Sequence, residues 1–149
     1  MNYRHILFVT DLNKDNQIVA DRTKDVLAHS PGAKLSVIHV VLDNIIAGGY
    51  EIMPLFNFSD QKQDIKEDHQ LLKQFLEKAQ LKADNSEIVT ALSTTGGIQD
   101  YANEHQVDLI VIGLHKKTGL LNSLLGNTAS SLLNNTDCDV LTVMIPPAK

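Results

Sequence analysis

The sequence predicts a doubly wound α/β fold: a parallel sheet of five strands, with helices on both faces. Three observations support that expectation. Five short runs rich in Val, Ile and Leu are spread along the 149 residues. Segments with the helical period of apolar residues separate them, giving the order β-α-β-α-β-α-β-α-β with right-handed crossovers. Most of the runs are nearly continuously apolar rather than alternating, as strands covered on both faces are.

The elements follow in chain order. Residues 5–10 (HILFVT) form the first strand. Asn13 is placed to N-cap a helix running to about residue 29, with Val19, Thr23, Val26 and Leu27 on one stripe. The turn signal Ser30, Pro31, Gly32 precedes the second strand, residues 34–41 (KLSVIHVV). A helix over about 60–82 puts Ile65, Leu72, Phe75, Leu76 and Ala79 on one face. Residues 87–92 (EIVTAL) make the third and weakest strand, and residues 97–105 a helix carrying Ile98, Tyr101 and Ala102. The fourth strand is 108–113 (DLIVIG); a helix then runs from Gly126 to about residue 135, with Ala129, Leu132 and Leu133 as its apolar side. The last strand, 139–145 (DVLTVMI), stops at Pro146 and Pro147. With no repeat, low-complexity stretch or linker, residues 1–149 read as one domain.

The connection 43–59 is too long for an ordinary loop and too apolar for a solvated linker, carrying Ile45, Ile46, Tyr50, Ile52, Met53, Leu55, Phe56 and Phe58. It reads either as packing on its own sheet edge or as a lid or partner-binding segment.

Composition narrows the function classes. Hydrophobic residues are 43% and aromatics 5%, so the core is expected to be aliphatic. A formal net charge of −5 gives no broad attraction to nucleic acid or to an anionic membrane. The single Cys138 excludes an internal disulfide and fits a reducing compartment. Arg4, Asp11, Lys14 and Asp15 interrupt any signal-peptide pattern, and no apolar run approaches the ~20 residues that span a bilayer. The expected location is the cytoplasm.

Two strand orders are common for this class. In the order 3-2-1-4-5, strands 1 and 4 are central and the chain leaves them in opposite directions, so ligands bind beyond their carboxyl ends. That crevice would be lined by Val9, Thr10 and Asp11 and by the segment starting at Gly113. The flavodoxin-like order 2-1-3-4-5 would instead place it between strands 1 and 3. Residues 113–128 (GLHKKTGLLNSLLGNT) are the most informative stretch. Its glycines allow close backbone approach, and a helix starting near Gly126 and Asn127 would aim free N–H groups at the crevice, with Lys116 and Lys117 adding charge. An ordinary surface loop has the same composition.

The chain resembles the universal stress proteins over nearly its whole length, through residues 5–11 (HILFVTD), 38–40 (IHV), 107–115 (VDLIVIGLH), 124–126 (LLG) and 139–143 (DVLTV). The resemblance implies the order 3-2-1-4-5 and a homodimer paired through the last strand, here Val140, Leu141, Thr142, Val143 and Ile145. One branch of that family binds ATP through a G-x2-G-x9-G-(S/T) signature; another lacks the signature and does not. Gly113 matches the first glycine and Gly126 the third, whereas Lys116 replaces the second and Asn127 the terminal Ser or Thr. Thr10 and Asp11 match nucleotide-contacting positions, Val40 or Val41 takes the adenine-contacting place, and His115 and Thr128 lie within the same segment. The implied cofactor is ATP or AMP with Mg²⁺. The opening residues 2–6 and the long 43–59 connection look more like the non-binding branch.

Other chemistry finds little support. The six histidines show no paired ligand spacing among themselves or with Cys138, so no metal site is expected. Asp137 and Asp139 flank Cys138 and disfavour its thiolate. No nucleophile elbow or P-loop is present. Asp11 is suited to a magnesium ion, a ribose hydroxyl or a helix cap, and is the one evident general base for a slow ATPase. The sequence therefore favours a regulatory nucleotide-binding protein, with a ligand-free interaction protein acting through the 43–59 segment as the alternative.

Overall fold

The computed structural model describes residues 2–43, 58–115 and 131–147, with side chains from 65 onward in the second segment. Strands β1 (His5–Val9), β2 (Lys34–Leu42), β3 (Asn85–Ala91), β4 (Leu109–His115) and β5 (Asp139–Ile145) form one sheet in the order β3-β2-β1-β4-β5. Every neighbouring pair is parallel. The flavodoxin-like alternative is excluded, and β1 and β4 are side by side with Val9 opposite Ile112.

All five residues of β1 are buried, which explains the unbroken apolar run from Ile6 to Val9. Ile6 and Phe8 face one core with Leu35, Val37, Val111, Val143 and Ile145. That side is covered by α1 (Gln17–Ala28) and α2 (Phe58–Ala79) through Val19, Ala20, Leu72 and Ala79. Leu7 and Val9 face the opposite core with Ile38 and Ile110, under α3 (Thr94–Glu104) and the helical residues 131–135. Each fully buried Leu, Ile, Val or Phe contributes roughly 1.5–3 kcal/mol relative to exposure, so these two layers dominate the favourable side of folding.

Several expectations are corrected. Asn13 is extended, but its side chain caps nothing; a short 3₁₀ turn, Lys14–Asn16, leads into α1 instead. Helix α3 starts at Thr94, three residues earlier than its glycines suggest, because Ser93 is its N-cap and accepts a hydrogen bond from the Gly96 N–H at 3.0 Å. Removing that acceptor, Ser93→Ala, is expected to cost about 1 kcal/mol in urea unfolding. Strand β3 begins at Asn85, two residues early, and β4 runs on to His115, so that histidine is a strand residue. Leu133 is 60% exposed, while its neighbour Leu132 is fully buried. Ala129 and the start of that last helix lie outside the described residues.

The amino end of the sheet is fastened by polar side chains. Both oxygens of the Asp108 carboxylate accept backbone N–H groups, from Arg4 and His5, at 2.9 Å each. The Tyr3 hydroxyl donates to Asp139 at 2.9 Å, and that carboxylate holds the phenol above its usual pKa. His5 is buried, bridging the His105 carbonyl at 2.8 Å and the Ser36 hydroxyl at 2.7 Å. Tyr101 stacks on His105 at 4.1 Å; burial raises its pKa, with Ser36 pulling partly the other way.

Candidate functional site

At the opposite, carboxyl end of the strands, the described walls enclose a cavity of about 240 Å³. Its lining comes from the ends of β1, β2, β4 and β5 and from the start of α3. This is the switch-point crevice expected for the order observed. Thr10, Asp11, Val40, Gly113 and His115 all border it. Lys116, Gly126, Asn127 and Thr128 lie outside the described residues, as do residues 44–57 of the long connection.

The turn leaving β1 is fixed by one buried side chain, Asn16, which is 3% exposed. Its Oδ1 accepts the Thr10 hydroxyl at 3.0 Å and the Asp11 N–H at 3.4 Å. Its Nδ2 donates to Asp11 Oδ1 at 2.6 Å and to Asp15 Oδ1 at 3.1 Å. Thr10 Oγ1 in turn accepts the Leu12 N–H, and Asp11 Oδ1 accepts the Asn13 N–H, both at 3.0 Å. These bonds hold Leu12 at φ 68°, a left-handed conformation that a branched side chain rarely adopts. Asp11 is therefore no helix cap; its carboxylate organises a turn, and the residue remains exposed at the rim.

His39 lies on the neighbouring strand, and its Nδ1 is 2.9 Å from the Thr10 carbonyl. A carbonyl only accepts, so Nδ1 carries the proton in this contact, and in that tautomer Nε2 is the ring's acceptor. Val9, Val40 and Ile112 supply apolar wall, and Thr94 borders the cavity from the first turn of α3. That turn comes close because residue 97 is glycine: a Cβ there would stand 2.9 Å from Ala91 Cβ and 3.0 Å from Val40 Cγ1.

Gly113 also has a packing role that its spacing does not suggest. A Cβ there would meet Ile145 Cδ1 at 2.7 Å and Val19 Cγ2 at 2.9 Å. The missing side chain makes room for α1 and β5, so this glycine serves packing beneath the cavity as well as bordering it.

His115, at the end of β4, reaches across to the 3₁₀ turn, with Nε2 2.7 Å from Asp15 Oδ2. Together with Asp11 they put three donor atoms within 4.8 Å of one another. Sequence spacing alone did not pick out Asp15, Asn16, His39 or Thr94. The available signal was position: each falls within a few residues of a strand's carboxyl end or a helix start facing the switch point.

The expected interface residues on β5 divide between two cores. Val143 and Ile145 are buried in this chain's own core, Leu141 packs partly against it, and Val140 packs partly on the other face. Thr142 is half-buried, and Met144 is 48% exposed at this sheet edge. Among the described residues, no helix is long and apolar enough to cross a membrane.

A five-stranded parallel sheet in the order β3-β2-β1-β4-β5, with a crevice at its switch point bordered by Asp11, two imidazoles and apolar walls, places the chain in the doubly wound α/β class. Within that class the chain belongs to the universal stress protein family, whose model matches residues 2–144. It is 31% identical over 143 residues to Universal stress protein A homolog 1 of Coxiella burnetii, covering 96% of this chain and 97% of that one. A universal stress protein solved in complex with cAMP superposes with a TM-score of 0.69 at 18% identity, covering 97% and 99% of the two chains. The Archaeoglobus fulgidus universal stress protein in complex with dAMP gives a TM-score of 0.59 at 14% identity, covering 96% and 99%. The structural likenesses bear on the fold.

Proposed function

We propose that this protein is a regulatory adenine-nucleotide binder that holds ATP or AMP, with Mg²⁺, in the switch-point crevice. The observation that carries the reading is the convergence of Thr10, Asp11, Val40, Gly113 and His115 on one cavity, from strands far apart in sequence. The residues fit a nucleoside. Val9, Val40 and Ile112 offer apolar surface to a base, the His39 ring offers an acceptor, and the exposed Asp11 carboxylate can accept ribose hydroxyls. Mg²⁺ would neutralise phosphate charge. Lys116, Gly126, Asn127 and Thr128 are the residues assigned to the phosphate end by family resemblance. In this reading the bound nucleotide regulates the protein rather than being its substrate. The protein would act in the cytoplasm as a homodimer joined along β5, with strand-edge backbone, Val140, Thr142 and Met144 at the contact and Val143 and Ile145 backing it from the core.

Calorimetric titration with ATP and with AMP, each with Mg²⁺, is expected to give a dissociation constant below about 1 mM, or more than ~4 kcal/mol of binding. Val40→Trp, which fills the cavity, is expected to weaken it at least tenfold. Absence of binding heat at several millimolar nucleotide would reject the reading.

Exposed Leu42 and Leu92, at 45% and 65%, favour a second reading. They cap the adjacent strands β2 and β3 where the apolar 43–59 segment departs, a surface suited to a protein partner. Deleting residues 45–57 should then abolish partner recovery from stressed-cell extract without dissociating the dimer; unchanged recovery counts against it.

A further inference from the structure

We propose that Asp11, Asp15 and His115 form a site for a first-row transition-metal ion, Zn²⁺ or Mn²⁺, bound directly by the protein without nucleotide. The inference goes beyond the nucleotide reading and does not require it. Three facts support it. The donor atoms come from two separate chain segments, the exit of β1 and the end of β4, yet lie within 4.8 Å of one another. The imidazole is largely buried, at 18% exposure, with Nε2 directed at Asp15. Finally, the two carboxylates are pre-aimed. The buried Asn16 amide donates to one oxygen of each, at 2.6 Å to Asp11 and 3.1 Å to Asp15. Outer amide contacts of this kind fix ligand orientation in metal sites.

The donor chemistry selects the ion. Mg²⁺ prefers an all-oxygen octahedron and parts reluctantly with its waters, whereas an imidazole with carboxylates suits Zn²⁺ or Mn²⁺. Four donors at ~2.1 Å around a tetrahedral ion stand about 3.4 Å apart. The present cluster reaches that spacing if the 2.7 Å contact between His115 and Asp15 opens by a fraction of an ångström and Asp11 closes in. Three protein donors leave a further coordination position, where water or an anionic ligand can bind.

The test uses the full chain, stripped with chelator and titrated with ZnCl₂, MnCl₂ or MgCl₂ in nucleotide-free buffer. The expected result is one Zn²⁺ or Mn²⁺ per chain, bound at least about tenfold more tightly than Mg²⁺. Asp15→Asn, at an exposed position, and His115→Ala should each weaken it tenfold or more, while His29→Ala, just beyond the end of α1, changes nothing. Co²⁺ should give a visible absorption band that Asp15→Asn removes. Should His115→Ala fail to fold, Asp15→Asn decides alone. The proposal is overturned if the wild type binds Zn²⁺ and Mn²⁺ no more tightly than Mg²⁺, or if binding survives Asp15→Asn unchanged; His115 and Asp15 are then a simple imidazole–carboxylate pair. Because the nucleotide titration can be repeated with Mg²⁺ in a buffer that chelates only transition metals, failure of either reading leaves the other testable.

Discussion

Gly113→Val is expected to destabilise the protein by about 3 kcal/mol, the upper range for overpacking a tight core. For a chain of this size the melting temperature should fall by roughly 6–12 °C. The cause is local. The first carbon added at position 113 already lies 2.7 Å from Ile145 Cδ1 and 2.9 Å from Val19 Cγ2, both in a buried layer between β4, β5 and α1. Two further methyl groups require the Ile145 and Val19 side chains to shift. Ile145→Val removes the nearer obstacle, so Gly113→Ala should cost less in that background than in the wild type, a coupling of roughly 0.5–1.5 kcal/mol. Differential scanning calorimetry without nucleotide decides the matter. An unchanged melting temperature would mean that the glycine is kept for the ligand and not for the core.

Asn16→Ala is the second large effect, expected at roughly 2–4 kcal/mol. The substitution removes four hydrogen bonds at a buried position and leaves the Thr10 hydroxyl and the Asp11 N–H without their acceptor. Leaving such groups unpaired costs about 1–3 kcal/mol each before relaxation. The Leu12 backbone, held in its left-handed conformation by the same turn, would be free to relax, offsetting part of the loss. Chemical denaturation should show a lower midpoint with an unchanged slope. Hydrogen exchange should quicken at Leu12 and Asn13, whose N–H groups bond within the turn, before it quickens in β1. A midpoint equal to that of the wild type would show that the network does not hold the turn.

These two positions show what the sequence discloses and what it hides. The sheet was legible because β1, β2 and β4 are rich in Val, Ile and Leu that burial explains, and edge strand β5 carries the same residue types with Val143 and Ile145 buried. Strand β3 was misjudged at its start because it is an edge strand, with Asn85, Glu87 and Thr90 exposed. The start of α3 was read late because Gly96 and Gly97 look like breakers; Gly97 is there to let the helix pack against Ala91 and Val40. The crevice was legible in outline, since strand order alone brings the ends of strands 1 and 4 together. Its polar wiring was not. Asp15 and His115 are separated by 100 positions, and no local spacing pairs them. Asn16 looks in sequence like any helix-start residue, and its fourfold bonding appears only when Thr10, Asp11 and Asp15 surround it.

The central pairing of β1 with β4 also has a consequence for how the chain is made. The first strand emerges from the ribosome about a hundred residues before the neighbour that completes its second edge. Until then β1 can pair only with β2, whose register runs from His5 opposite Lys34 to Val9 opposite Ile38. Its other edge waits, open to intermolecular pairing. Contacts this distant along the chain slow folding, because the intervening loop must be closed before they form. The pocket, which needs both strand ends, is therefore among the last features to mature, and a half-synthesised chain lacks it.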